Sequence, residues 1–533
     1  MTVNKETGHI ITDLMIIGGG VNGCGIARDA AGRGLSVTLV EMQDLGGATS
    51  SASTKLFHGG LRYLEYFKFR LVRESLIERD VLLRSMPHIS WPLRFVLPFD
   101  KSMQFDALTP ATKWINYVMP WLKSRRPLWL IRLGLFCYDI LSGRTTLAST
   151  NSLNLESSEE GKPLKAKFKR GLEYSDCWVE DSRLVILNAR DAEKRGAKIL
   201  PRVKLIAAKR LDNYWILSLR NQNTGEEWQQ DARYLINASG PWIKDILGEK
   251  LGLKGSDTVR LVRGSHLVVK RQYEHDKAYF FQGKDGRIIF AIPYEKDFTL
   301  IGTTDIEHES PDIRPVCSDS EQEYLLEFAN QYFKNPILSD DVIWQYSGVR
   351  ALYEDGATSA ASATRDYVIR VDKSGPPILT IFGGKITTYR KLAEGVLSKI
   401  TPFFEIPDMP WTANSALPGG EFKVNEFSHL TEKIMHDYPY LSFEWASRLM
   451  RQYGTETWDI LKNSIAVGDL GKQFECHITE RELSWSIDNE WTQTANDFLW
   501  HRTRLGLKIS DAGKKQIDDF IHYARKQKIG VKS

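Results

Sequence analysis

The segment that most constrains the fold of this chain runs from residue 11 to residue 41, ITDLMIIGGGVNGCGIARDAAGRGLSVTLVE. An apolar run, Leu14 to Ile17, predicts a buried parallel strand, and the small-residue stretch Val21 to Gly32 predicts a helix. A second strand, Ser36 to Val40, is then followed by the acid Glu41. Strand, helix and strand in this order predict the first β-α-β unit of a doubly wound α/β domain.

The turn between the first strand and the helix has the pattern G-x-G-x-x-G, formed by Gly18, Gly20 and Gly23. Gly18 permits a tight turn, Gly20 lets the backbone approach a pyrophosphate, and Gly23 allows the helix to pack closely on the strand. The N-terminus of the helix offers free N–H groups to phosphates, and Glu41 can accept hydrogen bonds from ribose hydroxyl groups. Because strand, helix and acid stand in the required order and spacing, the segment predicts a dinucleotide-binding site.

Three later segments favour FAD over NAD as the dinucleotide. Residues 45–63, LGGATSSASTKLFHGGLRY, are small and hydroxyl-rich, so their backbone can lie against a flat ring system. Residues 234–242, YLINASGPW, predict an apolar strand that ends in small residues beneath the nucleotide. Residues 379–392, LTIFGGKITTYRKL, predict a strand and then a helix beginning near Thr387, whose N-terminus suits flavin carbonyl oxygens. The candidate cofactor residues are Gly18, Gly20, Gly23, Glu41, Thr49, Ser50, Ser53, Lys55, His58, Gly59, Gly60, Gly240, Gly384, Lys385 and Thr387.

Composition excludes several other classes of protein. The 533 residues suffice for two or three domains, and a net charge of +4 does not by itself indicate nucleic-acid binding. The five cysteines are scattered and form no C-x-x-C pair, which predicts reduced thiols and neither a disulfide framework nor a metal site. No basic-then-apolar leader precedes the glycine turn, and no apolar run reaches the roughly 20 residues of a spanning helix. We therefore expect a cytoplasmic protein that is soluble or peripheral to a membrane.

Nine blocks along the chain are similar to one enzyme family. The chain resembles the FAD-dependent (aerobic) glycerol-3-phosphate dehydrogenases of the bacterial and mitochondrial type, in the glycine/D-amino-acid-oxidase-like flavoprotein superfamily. HGGLRYLE and FGGKITTYRKLAE separate this family from other amine and amino-acid oxidases. The blocks are GGGVNGCGIARDAAGRGLSV, ATSSASTKLFHGGLRYLE, RGLEYSDCWVEDSRLV, INASGPW, RGSHLVV, IGTTD, YSGVRAL, TRDY and FGGKITTYRKLAE.

The resemblance implies a reaction and its participants. The C2 hydroxyl of sn-glycerol 3-phosphate would be oxidised to a ketone, giving dihydroxyacetone phosphate, with hydride passing to a non-covalently bound FAD. The reduced flavin would then pass electrons to a membrane quinone, which places the enzyme on the inner face of the cell membrane. A homodimer is one possible assembly, and nucleic acid is not expected as a partner.

The expected architecture combines pattern with resemblance. We expect a Rossmann-like FAD domain assembled from discontinuous segments, an α+β substrate domain whose antiparallel sheet caps the flavin, and an all-α C-terminal domain. Within the substrate domain, residues 286–305 predict a hairpin with its turn at Glu295 to Asp297. The expected limits are 10–85, 175–262 and 346–400 for the FAD domain, 86–174 and 263–345 for the substrate domain, and 405–533 for the helical domain.

Two tasks of the implied reaction require side chains. A phosphate dianion must be held, for which the family blocks offer Arg62 with Tyr63, Arg350, Arg365 and Lys385. Arginine supplies a two-pronged fork, whereas lysine supplies a point charge.

A hydroxyl proton must also be removed. Histidine is the natural candidate near neutral pH. The resemblance favours His266 as the base, and Arg350 can stabilise the developing alkoxide. His58 is expected to support the flavin-contact stretch, residues 45–63.

An insertion at residues 99–132 mixes tryptophans and tyrosine with basic residues, among them Trp121, Arg125, Arg126 and Trp129. Aromatic residues beside basic residues suit a helix lying on an anionic membrane. A helix pair packed on the domain or a dimer contact is the alternative.

Three further alternatives remain at the level of function. They are an oxidase that uses oxygen, a flavin enzyme for a different substrate such as an amino acid, and an inactive flavoprotein scaffold.

Overall fold

The computed structural model describes residues 2–4, 6–101, 103, 109–122, 125, 127–143, 147–253, 258–283, 287–354 and 366–532. The strands in this part of the chain are β1 Thr2–Val3, β2 Ile10–Ile17, β3 Val37–Glu41, β4 Leu56–Phe57, β5 Ser90–Phe99, β6 Asn151–Asn154, β7 Arg170–Val179, β8 Lys198–Pro201, β9 Val203–Arg210, β10 Trp215–Asn221, β11 Glu227–Asn237, β12 Val259–Lys270, β13 Ala278–Gln282, β14 Ile288–Tyr294, β15 Phe298–Gly302, β16 Ile306–Glu307, β17 Val342–Tyr353, β18 Val368–Asp372 and β19 Ile378–Phe382.

The α-helices of the same residues alternate with these strands at first and then take over the C-terminal part. They are α1 Val21–Gly32, α2 Phe69–Ser85, α3 Pro110–Val118, α4 Leu128–Ser142, α5 Asp181–Lys194, α6 Ile243–Asp245, α7 Asp319–Asn330, α8 Tyr389–Phe404, α9 Phe427–Asp437, α10 Phe443–Tyr453, α11 Thr457–Leu461, α12 Glu480–Asn489 and α13 Asp511–Lys532.

The first sheet carries the glycine turn at the carboxyl ends of its parallel strands. Its central order is β18-β19-β11-β2-β3-β8, and β2 pairs in parallel with both β11 and β3. Helix α1 packs between α5 and α8, and its glycines make that possible. A Cβ on Gly25, for example, would lie 2.7 Å from the ring of Tyr389. The predicted Rossmann-like unit is confirmed, and α1 has the predicted limits.

The second sheet has the order β16-β12-β15-β14-β13-β5-β7-β4, with β17 beside β12 and β6 beside β7. Its pairs are antiparallel apart from β13 with β5, which run parallel. The predicted hairpin is present as β14 and β15. The second sheet also includes segments that the expected limits assigned to the FAD domain. These are β4, the second half of β7 and the first residues of β12. Most of β17 was assigned to the FAD domain as well, and β17 lies in this second sheet. The long β12–β17 ladder holds β17 in this sheet, and it pairs strands that are far apart in the sequence.

The part of the chain after residue 405 is helical, as predicted, and no strand occurs among its described residues. Two apolar clusters fill it. Trp445 is buried in the first cluster, and Trp458 and Trp485 pack against it. These tryptophans are therefore core residues, because their rings supply the apolar area that short helices need.

Among the described helices, none combines the length and the apolar character that crossing a bilayer requires.

Candidate active site

A cleft of about 490 Å³ opens where the carboxyl ends of β2, β3 and β11 face the second sheet. Open α/β sheets bind ligands at this edge, where helix N-termini and loops converge. The sequence candidates that line the cleft are Gly18, Gly20, Glu41, Thr49, Ser50, Ser53, His58, Gly60, Arg62, Tyr63, Gly240, Arg350, Gly384, Lys385 and Thr387.

The glycine turn forms a cradle that has no room for side chains. A Cβ on Gly18 would lie 2.5 Å from the carbonyl oxygen of Ala238, and one on Gly23 would lie 1.9 Å from the carbonyl oxygen of Gly18. Gly23 thus lies behind the lining and holds α1 against the turn. Gly20 precedes α1 and provides no side-chain cap. The N-terminus of α1 faces the cleft, where the first N–H, that of Val21, donates to Ser50 Oγ.

Glu41 closes the same end of the cleft. Its carboxylate accepts hydrogen bonds from the backbone N–H groups of Gly19, at 2.7 Å, and Gln43, at 2.8 Å. Burial raises the pKa of Glu41 above its ordinary value, although these two N–H groups oppose that shift. A hydroxyl donor from a ligand would stabilise the carboxylate further.

Residues 49–55 form a loop along the cleft, called the flavin loop below. Thr49 donates to the carbonyl of Val349 at 2.6 Å, and Ser50 Oγ accepts from the N–H of Val21 at 3.0 Å. Lys55 lies behind the lining, fully buried, with its Nζ 2.8 Å from Asp181 Oδ1. This lysine therefore holds the loop from within the protein.

The HGG and FGGK segments meet at the other end of the cleft. The backbone N–H of His58 donates to Thr387 Oγ1 at 3.2 Å. Gly59 does not line the cleft; its N–H donates to the buried hydroxyl of Tyr138 at 2.7 Å. Gly384 takes a φ of +106°, which a glycine adopts without strain.

Cationic side chains gather at the same end of the cleft as the HGG and FGGK segments. Lys385 Nζ lies 3.7 Å from the centre of the Tyr63 ring, a cation–π contact that fixes the ammonium group. Arg350 Nη2 donates to Thr303 Oγ1 at 3.2 Å, and Nη1 pairs with Asp305. Gly264 makes room for that guanidinium, since a Cβ there would lie 2.6 Å from Arg350 Nη2. The arrangement can hold a dianion.

His266 lies behind the lining and is fully buried. Its Nε2 lies 2.9 Å from Thr54 Oγ1, and its ring stacks on Tyr346. Burial, followed by the charges of Arg350 and Lys55, holds the pKa of His266 well below its ordinary value. The imidazole is therefore neutral, and it reaches the cleft through Thr54, which does line it.

Two predicted residues, Arg365 of the substrate set and Arg126 of the insertion, lie outside the described residues. Conversely, the cleft includes side chains that the sequence analysis did not single out. Thr303 and Asp305 belong to the IGTTD block, and Thr54 belongs to the flavin-contact block. Membership in these blocks could therefore have identified all three as cleft residues. Arg287, at the start of the predicted hairpin, had no local signal.

These residues fit a flavin dinucleotide. The cradle excludes side chains where a pyrophosphate would approach, the N-terminus of α1 faces the same space, and the Glu41 carboxylate can accept hydrogen bonds from a ribose.

Comparisons with known proteins agree with this geometry. Residues 13–390 match the family described as FAD dependent oxidoreductase, and residues 410–528 match the C-terminal domain of alpha-glycerophosphate oxidase. The aerobic glycerol-3-phosphate dehydrogenase of Escherichia coli (strain K12) is 41% identical, over 98% of this chain and 99% of its own length. The D-erythritol 1-phosphate dehydrogenase of Brucella abortus (strain 2308) is 42% identical, over 94% of this chain and 95% of its own.

A solved structure of similar fold is the glycerol-3-phosphate dehydrogenase from Bacillus halodurans, complexed with FAD. It has a TM-score of 0.72 at 24% identity, and the match covers 96% of this chain and 94% of that one. The predicted cofactor, enzyme class and fold class are thereby confirmed. The chain belongs to the FAD dependent oxidoreductase family, in the branch that includes the glycerol-3-phosphate and D-erythritol 1-phosphate dehydrogenases.

Proposed function

We propose that this enzyme oxidises sn-glycerol 3-phosphate to dihydroxyacetone phosphate and passes the electrons to a membrane quinone. The observation that carries the proposal is the gathering of Arg62, Arg350 and Lys385 in the flavin cleft, where Arg350 also pairs with Asp305. Relatives named as glycerol-3-phosphate dehydrogenases, at 41–42% identity over nearly the whole chain, support it.

The side chains divide the work of binding and chemistry. Lys385, held over Tyr63, and Arg62 would bind the phosphate, where charge-assisted hydrogen bonds are strongest. Arg365 stays a predicted third ligand. Arg350 would stabilise negative charge on the C2 oxygen as its proton leaves. The bound flavin supplies the hydride acceptor.

We propose two histidines for the proton. His58, which lines the cleft, would accept the proton directly. His266 would act through Thr54, because its neutral ring is hydrogen-bonded to the threonine hydroxyl and orients it. Since the pKa of His266 is held well below its ordinary value, His266 itself would not retain the proton. The sequence expectation of His266 as the direct base thus becomes a proposal of indirect action.

D-erythritol 1-phosphate is a second candidate substrate, because a dehydrogenase named for it is 42% identical to this chain. It is also a phosphorylated polyol, so the same cations would hold its phosphate. The two substrates differ in chain length, and discrimination must come from the part of the cleft beyond the oxidised carbon.

Anaerobic titration tests these alternatives. We expect sn-glycerol 3-phosphate to bleach the visible absorbance of the bound flavin at lower concentration than D-erythritol 1-phosphate, and a soluble quinone analogue to restore it. The reverse order would favour the second substrate. Rapid reoxidation by oxygen alone would identify an oxidase, and no bleaching by either compound would contradict the proposal.

The FAD is expected to be bound without a covalent link, one per chain. The two cysteines of the family blocks, Cys24 and Cys177, are buried in the core, and His58 is assigned to the proton and not to attachment. Acid precipitation should therefore release the flavin into the supernatant. Flavin that stays in the pellet after washing would contradict this prediction.

We propose that α3, in the basic-aromatic insertion, and α4, which begins in it and continues to Ser142, dock the enzyme on the inner face of the cell membrane. On α4 the side chains of Trp129, Leu133, Phe136 and Ile140 stand on one face and are about half or more exposed. Tyr138 on the same helix is buried against the protein. Such an exposed apolar stripe is typical of a helix that lies in a bilayer interface.

The position of helix α3 supports a quinone as the electron acceptor. Helix α3 packs against the segment Leu61–Tyr66, which contains the cleft residues Arg62 and Tyr63. Trp114, Tyr117 and Trp121 on and after α3 are largely exposed. A lipid-soluble acceptor would thus meet the protein close to the cleft.

Replacing both Leu133 and Phe136 with Asp should lower binding to anionic phospholipid vesicles by about 100-fold or more, since each side chain gives up roughly 1.5–3 kcal/mol of burial. Quinone-linked turnover should fall with it, while reduction of a soluble dye should persist. Wild-type binding should also weaken with salt, because Arg125 and its neighbours are screened.

The matched control replaces Met409 and Ile465, exposed apolar residues outside this face, with Asp. It should bind vesicles like the wild type. Unchanged vesicle binding in the α4 variant would contradict the proposal, and a dimer broken only by the α4 variant would identify the face as a contact between two copies.

A further inference from the structure

The C-terminal helical domain reaches the flavin loop through Arg504. This guanidinium is 5% exposed, and its Nη2 donates to Asp181 Oδ1 at 2.8 Å, to Ser182 Oγ at 3.1 Å and to the carbonyl of Ser51 at 3.4 Å. Its Nη1 donates to the carbonyl of Trp500 at 2.7 Å, which ties it to its own domain. The side chain therefore bridges the C-terminal domain and the loop.

Asp181, at the start of α5, is the centre of this contact and is fully buried. Its Oδ2 accepts from the backbone N–H and the hydroxyl of Ser53, at 3.1 and 2.8 Å, and its Oδ1 also accepts from Lys55 Nζ. Burial by itself raises the pKa of Asp181, but Lys55 and Arg504 hold it below its ordinary value. One carboxylate thus joins Arg504 to Ser53 and Lys55.

A second link, made of stacked rings, runs from the same domain to the same loop. Trp500 stacks on Trp344 of β17 with ring centres 4.3 Å apart, and Trp344 lies 5.0 Å from Tyr346. The Tyr346 hydroxyl donates to the carbonyl of Ser53 at 2.8 Å. Tyr346 also stacks on His266, at 4.7 Å.

Both links end on residues 51–55, and this loop faces the cleft. Ala52, Ser53 and Thr54 all line it. Lys55 in the same loop takes a φ of +60°, a left-handed conformation that costs free energy for a residue other than glycine. The loop therefore needs outside contacts to keep its shape, and the C-terminal domain provides two of them.

We propose that the C-terminal domain, through Arg504 and Trp500, positions the flavin loop for FAD binding and hydride transfer. Arg504 is a positioning residue, because it acts on the cleft through Asp181 and does not line it. The proposal rests on FAD binding and not on the identity of the substrate. The domain thus shapes the flavin site in addition to stabilising the fold.

The test compares Arg504→Gln with Arg202→Gln in the purified holoenzyme. Both changes remove an ion pair between the FAD domain and the C-terminal domain, since Arg202 pairs with Asp497 at 2.6 Å, away from the flavin loop. We expect Arg504→Gln to bind FAD about tenfold more weakly, a typical size for coupling between packed regions, and to change the visible absorbance and circular dichroism of bound flavin. Arg202→Gln should lower the melting temperature but keep both flavin properties.

Arg504→Lys serves as the conservative variant. It retains the charge beside Asp181, so it should recover most of the FAD affinity lost in Arg504→Gln. If Arg504→Gln has the FAD affinity and flavin spectrum of the wild type, the inference is wrong. If neither Arg504 variant folds, Trp500→Leu decides through the second link, and a wild-type flavin spectrum there overturns the inference. None of these readouts needs a substrate, so a wrong substrate assignment leaves the test intact.

Discussion

Replacing Lys385 with methionine is expected to lower kcat/KM for sn-glycerol 3-phosphate by about 30- to 150-fold. Methionine keeps much of the volume but removes the charge, and a charge-assisted contact to a phosphate is worth roughly 2–3 kcal/mol. Steady-state kinetics with a saturating acceptor measure the change, and the flavin content of the variant shows whether FAD is retained. We expect substrate affinity to suffer far more than FAD binding.

Lys391→Met provides the control for this prediction. Lys391 lies six residues further on, in the first turn of α8, half exposed, and pairs with Glu394 at 2.9 Å away from the cleft. Its loss should change kcat/KM by less than about twofold, because exposed ion pairs contribute little. An unchanged kcat/KM in Lys385→Met would remove this lysine from the phosphate site.

Gly23→Ala is expected to abolish most FAD binding. The added Cβ would lie 1.9 Å from the carbonyl oxygen of Gly18, and this neighbour is backbone that cannot rotate away. The turn must open, which distorts the pyrophosphate cradle. A steric cost of about 1–3 kcal/mol at this position corresponds to roughly a 5- to 150-fold loss of affinity, and the ratio of flavin to protein after purification measures it.

Gly468→Ala is the matched control, since no heavy atom lies within 4 Å of a Cβ placed there. It should purify with a full complement of FAD. A Gly23→Ala enzyme with wild-type flavin content would mean that α1 can shift without damage to the cradle. Together, the two alanine variants separate local crowding from the general effect of removing a glycine.

Local spacing explains why the nucleotide end of the cleft could be predicted from the sequence. Gly18, Gly20 and Gly23 lie within six residues, so the turn, the helix N-terminus and the strand are specified by one short stretch. Glu41 follows at the end of the next parallel strand, which the β-α-β connection places beside the first. The short spacing of the glycines and the handedness of the β-α-β connection were therefore sufficient to predict this end of the cleft.

The roles of the histidines could not be predicted in this way. His266 was favoured as the base because of its block, but it lies behind Thr54, since the β12–β17 ladder sets it opposite Tyr346. A one-residue shift in register would have turned it to the other face. Register between strands about 80 residues apart is decided by packing, which no local pattern records.

The sequence by itself determined the β-α-β unit, the dinucleotide site and the helical character of the C-terminal part, because each depends on short-range spacing and periodicity. It also favoured a flavin, because three separate segments each have a local pattern that suits one. Only the tertiary structure decided that Gly264 makes room for Arg350 and that Arg504 reaches the flavin loop through Asp181. These contacts join residues tens to hundreds of positions apart. Their energy arises from burial and charge pairing, which exist only once the two sheets and the helical domain are packed together.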